Sequence, residues 1–259
     1  GIEGGVGMSS AVIGDITGDG IAEVLMGAPY SFYDSTQDPD SGAITRENYN
    51  GAAFVLDPTH GGSPDTVQVA HIQGGTYSYT GWDMVSMGDM DGNGLNEILI
   101  GSPGTSKAFL VTGESFTSGA NLLLGDALAN IQAVGFGGVD VAYVGDVNAD
   151  GSPEAAVGGS FAFTDDGAWV GVFDGATMLA GGAIGYSDAL YTIDSSNGTA
   201  LGGETVGGVD FDGDGLMDMA VAWGVNTTGK VAMVSGVDIA NGGSITHDDL
   251  TPVIGTIGT

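Results

Sequence analysis

The sequence predicts an all-β fold, a β-propeller built of four-stranded antiparallel blades, and three observations lead to it. First, the 259-residue chain repeats one acidic nine-residue run four times, with 74, 57 and 64 residues between successive starts, and self-similarity on this scale is the mark of a repeat architecture. Second, each repeat holds four apolar runs of β-branched or small residues, bounded by Gly, Pro, Asn and Asp, which read as short strands. Third, no segment carries a sustained 3.6-residue apolar stripe; the one helical candidate is Ser118–Ala129. Four short strands per repeat is the pattern of a propeller blade.

The elements follow in chain order within each repeat. A glycine leads, Gly7, Gly81, Gly138 or Gly202, eight residues before the first Asp of the acidic run. A first strand lies between them, as in Ser10–Ile13 and Val139–Tyr143. The acidic runs are 15–23, 89–97, 146–154 and 210–218. Second strands follow at Val24–Met26, Ile98–Ile100, Ala155–Val157 and Met219–Val221, and the first three end in glycine turns, Gly27-Ala28-Pro29, Gly101-Ser102-Pro103 and Gly158-Gly159-Ser160. Third strands are Ala52–Leu56, Ala108–Val111, Ala168–Phe173 and Val231–Val234. Weaker fourth strands are Val67–Ile72, Ala129–Gln132, Ala189–Ile193 and Pro252–Ile254. The repeat units are therefore 1–73, 74–132, 133–193 and 194–259, together one propeller domain or a fragment of one. Running from Asp210 through the C-terminus back to Asp15 gives another interval of 64, so the chain is cut between units. That interval fits a four-bladed ring and a segment of a larger propeller equally well.

Composition removes several function classes. There is no cysteine, which excludes a disulfide scaffold and thiolate metal sites. Three basic residues against 33 acids, a formal net charge of −30, cannot make a nucleic-acid-binding face and would be repelled by an anionic membrane. An apolar fraction of 42% is enough for a packed core. No apolar run reaches the roughly 18 residues of a membrane helix. The chain has no starting Met and no signal segment, and it reads as a mature or excised piece of something longer.

The acidic runs point to a hard cation. Positions 1, 3, 5 and 9 offer oxygen side chains: Asp15, Thr17, Asp19, Glu23; Asp89, Asp91, Asn93, Glu97; Asp146, Asn148, Asp150, Glu154; Asp210, Asp212, Asp214, Asp218. Alternate oxygens converge only if the chain curls tightly, and position 6 is always glycine, Gly20, Gly94, Gly151 and Gly215, which permits a positive φ. Position 7, Ile21, Leu95, Ser152 or Leu216, can then add a backbone carbonyl. An oxygen-only set rich in carboxylates suits Ca²⁺, about four ions in all, better than Mg²⁺ with its stricter octahedron. An EF-hand is excluded, because position 12 is apolar: Met26, Ile100, Val157 and Val221. The four runs hold 13 of the 33 acids, and bound cations would act as staples where disulfides are absent.

These runs, the apolar strand after each, and the Gly27-Ala28-Pro29 and Gly101-Ser102-Pro103 turns resemble the FG-GAP repeats of integrin α-subunit β-propellers and their bacterial and archaeal relatives. The resemblance covers all four units. It departs at the residue before the leading glycine, where Val6, Thr80, Gly137 and Leu201 stand for Phe, and at the fourth turn, Ala222-Trp223-Gly224. It implies a Ca²⁺-stabilised propeller, usually of more than four blades, used outside the cell for adhesion or ligand binding.

A meander of this kind places the acidic loops on one face and the second-to-third-strand and blade-to-blade connections on the other. That opposite face receives the long connection Tyr30–Asn50, with Tyr30, Phe32, Tyr33, Tyr49 and the only arginine, Arg46, and then Tyr77, Tyr79 and Trp82. Aromatics and Arg anchor interfaces, so these eight residues are the candidate partner-binding patch; they serve equally to fold the insertion onto its own blade. No catalytic residues are expected. His60, His71 and His247 sit in no nucleophile motif and are expected at the surface. Three readings remain open: an extracellular or cell-surface adhesion module for a protein or glycan ligand, a structural subunit of a self-assembling layer or filament, and a glycan-active enzyme such as a polysaccharide lyase. The third is weakened by having only Arg46, Lys107 and Lys230 to meet an acidic sugar. Asn197 and Asn226 open glycosylation sequons.

Overall fold

Chain direction reverses at every acidic loop, so the strands on either side pair antiparallel, and this hairpin is the seed of each sheet. The computed structural model describes residues 5–31, 35–37, 44–46, 49–59, 68–116, 119–132, 137–159, 167–195, 200–225 and 228–254. In unit one, β1 (Ser10–Gly14) and β2 (Glu23–Ala28) flank the first loop; the long connection carries a ribbon of β3 (Ser35–Gln37) and β4 (Ile44–Arg46); β5 (Ala52–Leu56) and β6 (Gln68–Gln73) complete a sheet ordered β1-β2-β5-β6. Unit two contributes β7 (Met84–Gly88), β8 (Glu97–Ser102), β9 (Lys107–Val111), β10 (Asn121–Leu123) and β11 (Ala129–Gln132). Unit three contributes β12 (Gly137–Gly145), β13 (Glu154–Gly159), β14 (Trp169–Phe173), the short helix α1 (Gly175–Leu179), β15 (Gly182–Gly185) and β16 (Tyr191–Asp194). Unit four contributes β17 (Ala200–Val209), β18 (Asp218–Val225), β19 (Thr228–Val234), helix α2 (Gly236–Asn241), β20 (Gly243–Thr246) and β21 (Pro252–Ile254).

The fold is all-β and its sheets are propeller blades, each an antiparallel meander of four strands. Three blades carry a fifth strand. β10 lies parallel to β6, β15 to β11 and β20 to β16, so each of these blades is extended by a strand from the following unit. The candidate helix over Ser118–Ala129 does not form among the described residues, 119–129. Residues 121–123 form β10 and 124–126 a 3-10 turn, because pairing with β6 gives this segment backbone partners that an isolated helix of three turns lacks in water.

Alternation along the strands sends every second side chain into a seam between blades. Ile13, Leu25, Val55 and Ile72 meet Ile98, Ile100, Val111 and Phe116 between blades one and two. Met87, Leu99 and Leu110 meet Val157, Trp169 and Phe173 between two and three. Val144, Val170 and Ile193 meet Met219, Val221 and Trp223 between three and four. Each such side chain, fully buried, contributes roughly 1.5–3 kcal/mol. The leading glycine and the turn glycine are explained at the same seams. A Cβ on Gly27 would run into the carbonyl oxygen of Gly81, and one on Gly101 into that of Gly138. The inner strands pack in series, β1 on β7, β7 on β12 and β12 on β17. Among the described residues β17 and β1 form no comparable contact.

Candidate metal centres

A register shift in the β1–β2, β7–β8, β12–β13 and β17–β18 pairs, two residues before each loop begins, turns the chain out of its strand and into the curl. Position 6 has φ of +90°, +92°, +95° and +94° at Gly20, Gly94, Gly151 and Gly215. Position 4 also takes a positive φ, at Gly18, Gly92, Gly213 and, without glycine, Ala149 at +61°. Open space surrounds these glycines, so backbone conformation, and not crowding, demands them.

The loop's own N–H groups hold its carboxylates. Asp15 accepts from the N–H of Gly20 at 2.7 Å and Gly18 at 2.6 Å, and Asp89 from Gly94 at 2.9 Å and Gly92 at 2.8 Å. Asp146 accepts from Gly151 at 3.0 Å, and Asp210 from Gly215 at 3.0 Å and Gly213 at 2.7 Å. These donors, Gly20 first, hold the Asp15 carboxyl below its ordinary range. The side chain at position 5 accepts from the N–H of position 7 in every loop: Asp19 from Ile21, Asn93 from Leu95, Asp150 from Ser152 and Asp214 from Leu216. Thr17 donates its hydroxyl to Glu23 at 2.9 Å.

Position 9 is the buried member. Glu23, Glu97 and Glu154 are 0% exposed and Asp218 is 2% exposed. Each accepts the N–H of position 2: Ile16 at 2.6 Å, and Met90, Val147 and Phe211 at 2.7 Å. Two also reach the connection after the third strand, where Gly113 donates to Glu97 at 3.2 Å and Gly236 to Asp218 at 2.8 Å. Burial pushes the carboxyl of Glu97 up and that of Glu154 up to about 7.

The geometry converges in all four loops. Ligand-capable oxygens of Asp15, Asp19 and Glu23 lie within 4.8 Å of one another, as do those of Asp89, Asp91 and Glu97, of Asp146, Asp150 and Glu154, and of Asp210, Asp212 and Asp218. Asp214 is not in its carboxylate group, and Asn93 and Asn148 are held beside theirs by side-chain amide bonds to Asp91 and Asp150. Two acids that the loop pattern did not reveal join from the connection after strand three: Glu114 accepts from Asn93 at 2.6 Å and Asp174 from Asn148 at 2.9 Å. Asp174 was open to discovery as the N-cap of α1, through the spacing Asp174 to Thr177.

Such a group needs a counter-charge. Two carboxylates at this separation repel by about 1 kcal/mol in bulk water and about 3 kcal/mol at an effective dielectric near 20. Lys107 pairs in register with Ser102 and Lys230 with Trp223, at the strand ends away from the loops. Glu154 Oε1 is buried and makes no hydrogen bond of good geometry, meeting the Gly175 N–H only weakly. A buried carboxylate oxygen left so poorly satisfied in an oxygen-only nest fits a hard divalent cation.

On the opposite face, four of the eight candidate partner residues come together. Ring centroids are 5.7 Å apart for Tyr30–Tyr49, 6.0 Å for Tyr30–Tyr79, 5.9 Å for Tyr30–Trp82, 5.6 Å for the stacked Tyr49–Tyr79 and 6.3 Å for Tyr79–Trp82. Tyr77 is 50% and Tyr49 39% exposed. Tyr77 and Tyr79 hold positive φ values of 56° and 53°, and a Cβ on Gly104 would strike the Tyr77 carbonyl, so blade two clamps this turn from below. Phe32, Tyr33 and the side chain of Arg46 lie outside the described residues, as do His60, Asn197 and Asn226. His71 and His247 are not surface residues: they are 8% and 6% exposed. His71 packs on Phe54 and His247 on Trp223; the apolar cover comes from neighbouring strands, not from residues adjacent in sequence.

Residues 6–56 match the FG-GAP repeat family. Integrin alpha-7 of Rattus norvegicus is 30% identical over 145 residues, 53% of this chain and 12% of that protein. Integrin alpha-7 of Mus musculus is 30% identical over 145 residues, 53% of this chain and 11% of that protein. The chain thus spans only a small part of the length of these curated relatives.

Proposed function

We propose, on the premise that this chain belongs to the FG-GAP repeat, integrin-α-like family, that it is a non-catalytic binding module working in adhesion outside the cell, with calcium in its four loops and its partner on the opposite face. The observation that carries this reading is the fourfold convergence of three carboxylates within 4.8 Å, at loops supplied with no lysine or arginine of their own. The ligands would be the side chains at positions 1, 3, 5 and 9 and the carbonyl of position 7. The ion supplies positive charge and a fixed oxygen geometry. The chain's own residues do the rest. Position 1 gathers the loop's N–H groups, and position 9 holds the N–H of position 2 and, at Glu97 and Asp218, ties the hairpin of the first two strands to the connection after the third. Among the described residues no helix is long and apolar enough to cross a membrane.

The partner, a protein or glycan, would meet Tyr30, Tyr49, Tyr77, Tyr79 and Trp82; Phe32, Tyr33 and Arg46, candidates from the sequence, complete the proposed set. Native mass spectrometry in millimolar Ca²⁺, repeated after chelation, tests the metal reading: four ions are expected, and none would overturn it. Tyr49→Ala with Trp82→Ala should abolish partner capture and leave the ion count at four.

A second reading, a subunit of a self-assembling layer or filament, is favoured by apolar side chains left open on the terminal blades. Met8 and Val12 are 49% and 48% exposed, and Val206 and Val253 54% and 60%. Sedimentation across a hundredfold range of protein concentration separates the two readings.

A further inference from the structure

The fifth strands belong to a module that recurs three times. It opens with a helical turn holding one large apolar residue, Phe116, Met178 or Ile239, each 0% exposed and buried in the seam with the preceding blade. It continues as the added strand, β10, β15 or β20, with Leu122 beside Ile72, Ile184 beside Ile131 and Ile245 beside Ile193 in register. It closes with a 3-10 turn whose Asp126, Asp188 or Asp249 accepts the N–H of Leu123, Gly185 or Thr246, at 2.7, 2.8 and 2.9 Å. Units two, three and four each donate the module backwards. Unit one has no room for it: residues 57–67 join its third and fourth strands, whereas 112–128, 174–190 and 235–251 do so in the others.

Among the described residues blade four carries no such added strand, and β21 is the last strand of its sheet. Aligned on the closing Asp, its Pro252 stands where Ala129 and Tyr191 stand, and its Ile254 where Ile131 and Ile193 do. Ala129 and Tyr191 are 1% and 6% exposed beneath their added strands, whereas Pro252 is exposed and Val253 is 60% exposed. No lysine guards this edge, and an unguarded edge is a template for strand addition.

We propose that the outer edge of β21 is a docking site for a peptide segment from outside these four units. Its occupant is a segment of the same make as the three donated modules: a helical turn with one large apolar residue, a short strand with Leu or Ile at the position of Leu122, Ile184 and Ile245, and an Asp-closed turn, laid parallel to β21. What covers the three equivalent edges of this molecule is the argument for what covers the fourth. The pairing is β-augmentation, in which main-chain bonds give affinity and the alternate side chains give selectivity.

The test uses the whole chain in Ca²⁺, extended at its C-terminus through a flexible Gly/Ser linker by a second copy of residues 235–251, which raises the local concentration to about the millimolar range. Hydrogen exchange of the amides of 253 and 254 is expected to slow by at least about tenfold relative to the unextended chain, because edge amides open locally. Ile245→Asp made only in the appended copy should restore fast exchange. Unchanged exchange in the extended chain overturns the proposal. So does concentration-dependent association of the unextended chain that already protects 253 and 254, since the occupant would then be a second copy.

Discussion

At the scale of the residue, loop position 9 is under two opposed demands. In the proposed role its carboxylate is charged to hold a cation, yet it is the most buried group of the loop. Glu154 shows the conflict most clearly, with one oxygen on the Val147 N–H and the other met only weakly by the Gly175 N–H. Glu154→Gln keeps the shape and removes the charge. In Ca²⁺ the variant should lose the stabilisation that one ion supplies, about 1–3 kcal/mol at ion concentrations 10 to 100 times the dissociation constant. In chelator it should be at least as stable as the parent, because a buried uncompensated charge has gone. Thermal midpoints of both proteins in both conditions check this; a variant that is weaker by the same amount in chelator would show a packing defect only. Ala149 offers a second residue-scale test. It adopts φ +61° where the other loops place glycine, at a cost of about 1–2 kcal/mol for a residue with a Cβ. Glycine there relieves the strain but gives back about 0.4–1 kcal/mol of unfolded-chain entropy. Ala149→Gly should therefore stabilise the protein slightly in chemical denaturation, and a loss of stability would refute the strain account.

At the scale of the element, the inner strands carry a carboxyl seam, at the end away from the loops, that weakens as pH rises. Asp140 on β12 is 7% exposed and accepts the Thr205 hydroxyl of β17. Burial first, then the neighbouring charges of Asp83 and Glu204, push its carboxyl up to about 7. Asp83 accepts the Val141 N–H at 2.9 Å, and burial pushes it up as well. A carboxyl raised in the folded state contributes stability that is complete below its unfolded value of 3.8 and is lost as pH rises through about 7. Asp140→Asn should therefore match the parent near pH 4 and exceed it at pH 8, by a few kcal/mol at most. Midpoints across that range in constant Ca²⁺ check the sign, and a parent that gains on the variant as pH rises would reverse it. This seam was not legible in the sequence, because Asp83, Asp140 and Glu204 lie 57 and 64 residues apart and meet only once the blades stack. The acidic loops were legible, since all their ligand positions fall within nine residues and recur four times. The four-stranded meanders were legible through their apolar runs. The donated strands were not. Gly182–Gly185 and Gly243–Thr246 are short and glycine-rich, show no alternation, and become strands through a parallel partner in another unit. Nor were α1 and α2, at five and six residues too short to display a helical period.

At the scale of the whole molecule, a formal charge of −30 and four carboxylate nests set different electrostatic problems, and salt separates them. Repulsion between loops and across the surface acts over tens of ångströms, while repulsion inside a nest acts across 4.8 Å or less. The Debye length is about 30 Å at 0.01 M salt, about 8 Å at 0.15 M and about 3 Å at 1 M. Moderate salt therefore screens the molecule as a whole and leaves each nest unscreened. In chelator, NaCl raised from 0.01 M to 0.15 M should lift the thermal midpoint by the long-range share only, and the midpoint should stay well below that in Ca²⁺. Approaching 1 M, screening reaches the dimensions of the nest and the gap should narrow further. With Ca²⁺ saturating, the same salt series should move the midpoint little, because the strongest local repulsion is already met by the ions. If 0.15 M NaCl in chelator restored the full midpoint, the acidic loops would matter only through net charge. A gap that persists until salt reaches inside 4.8 Å is what four built cation sites require.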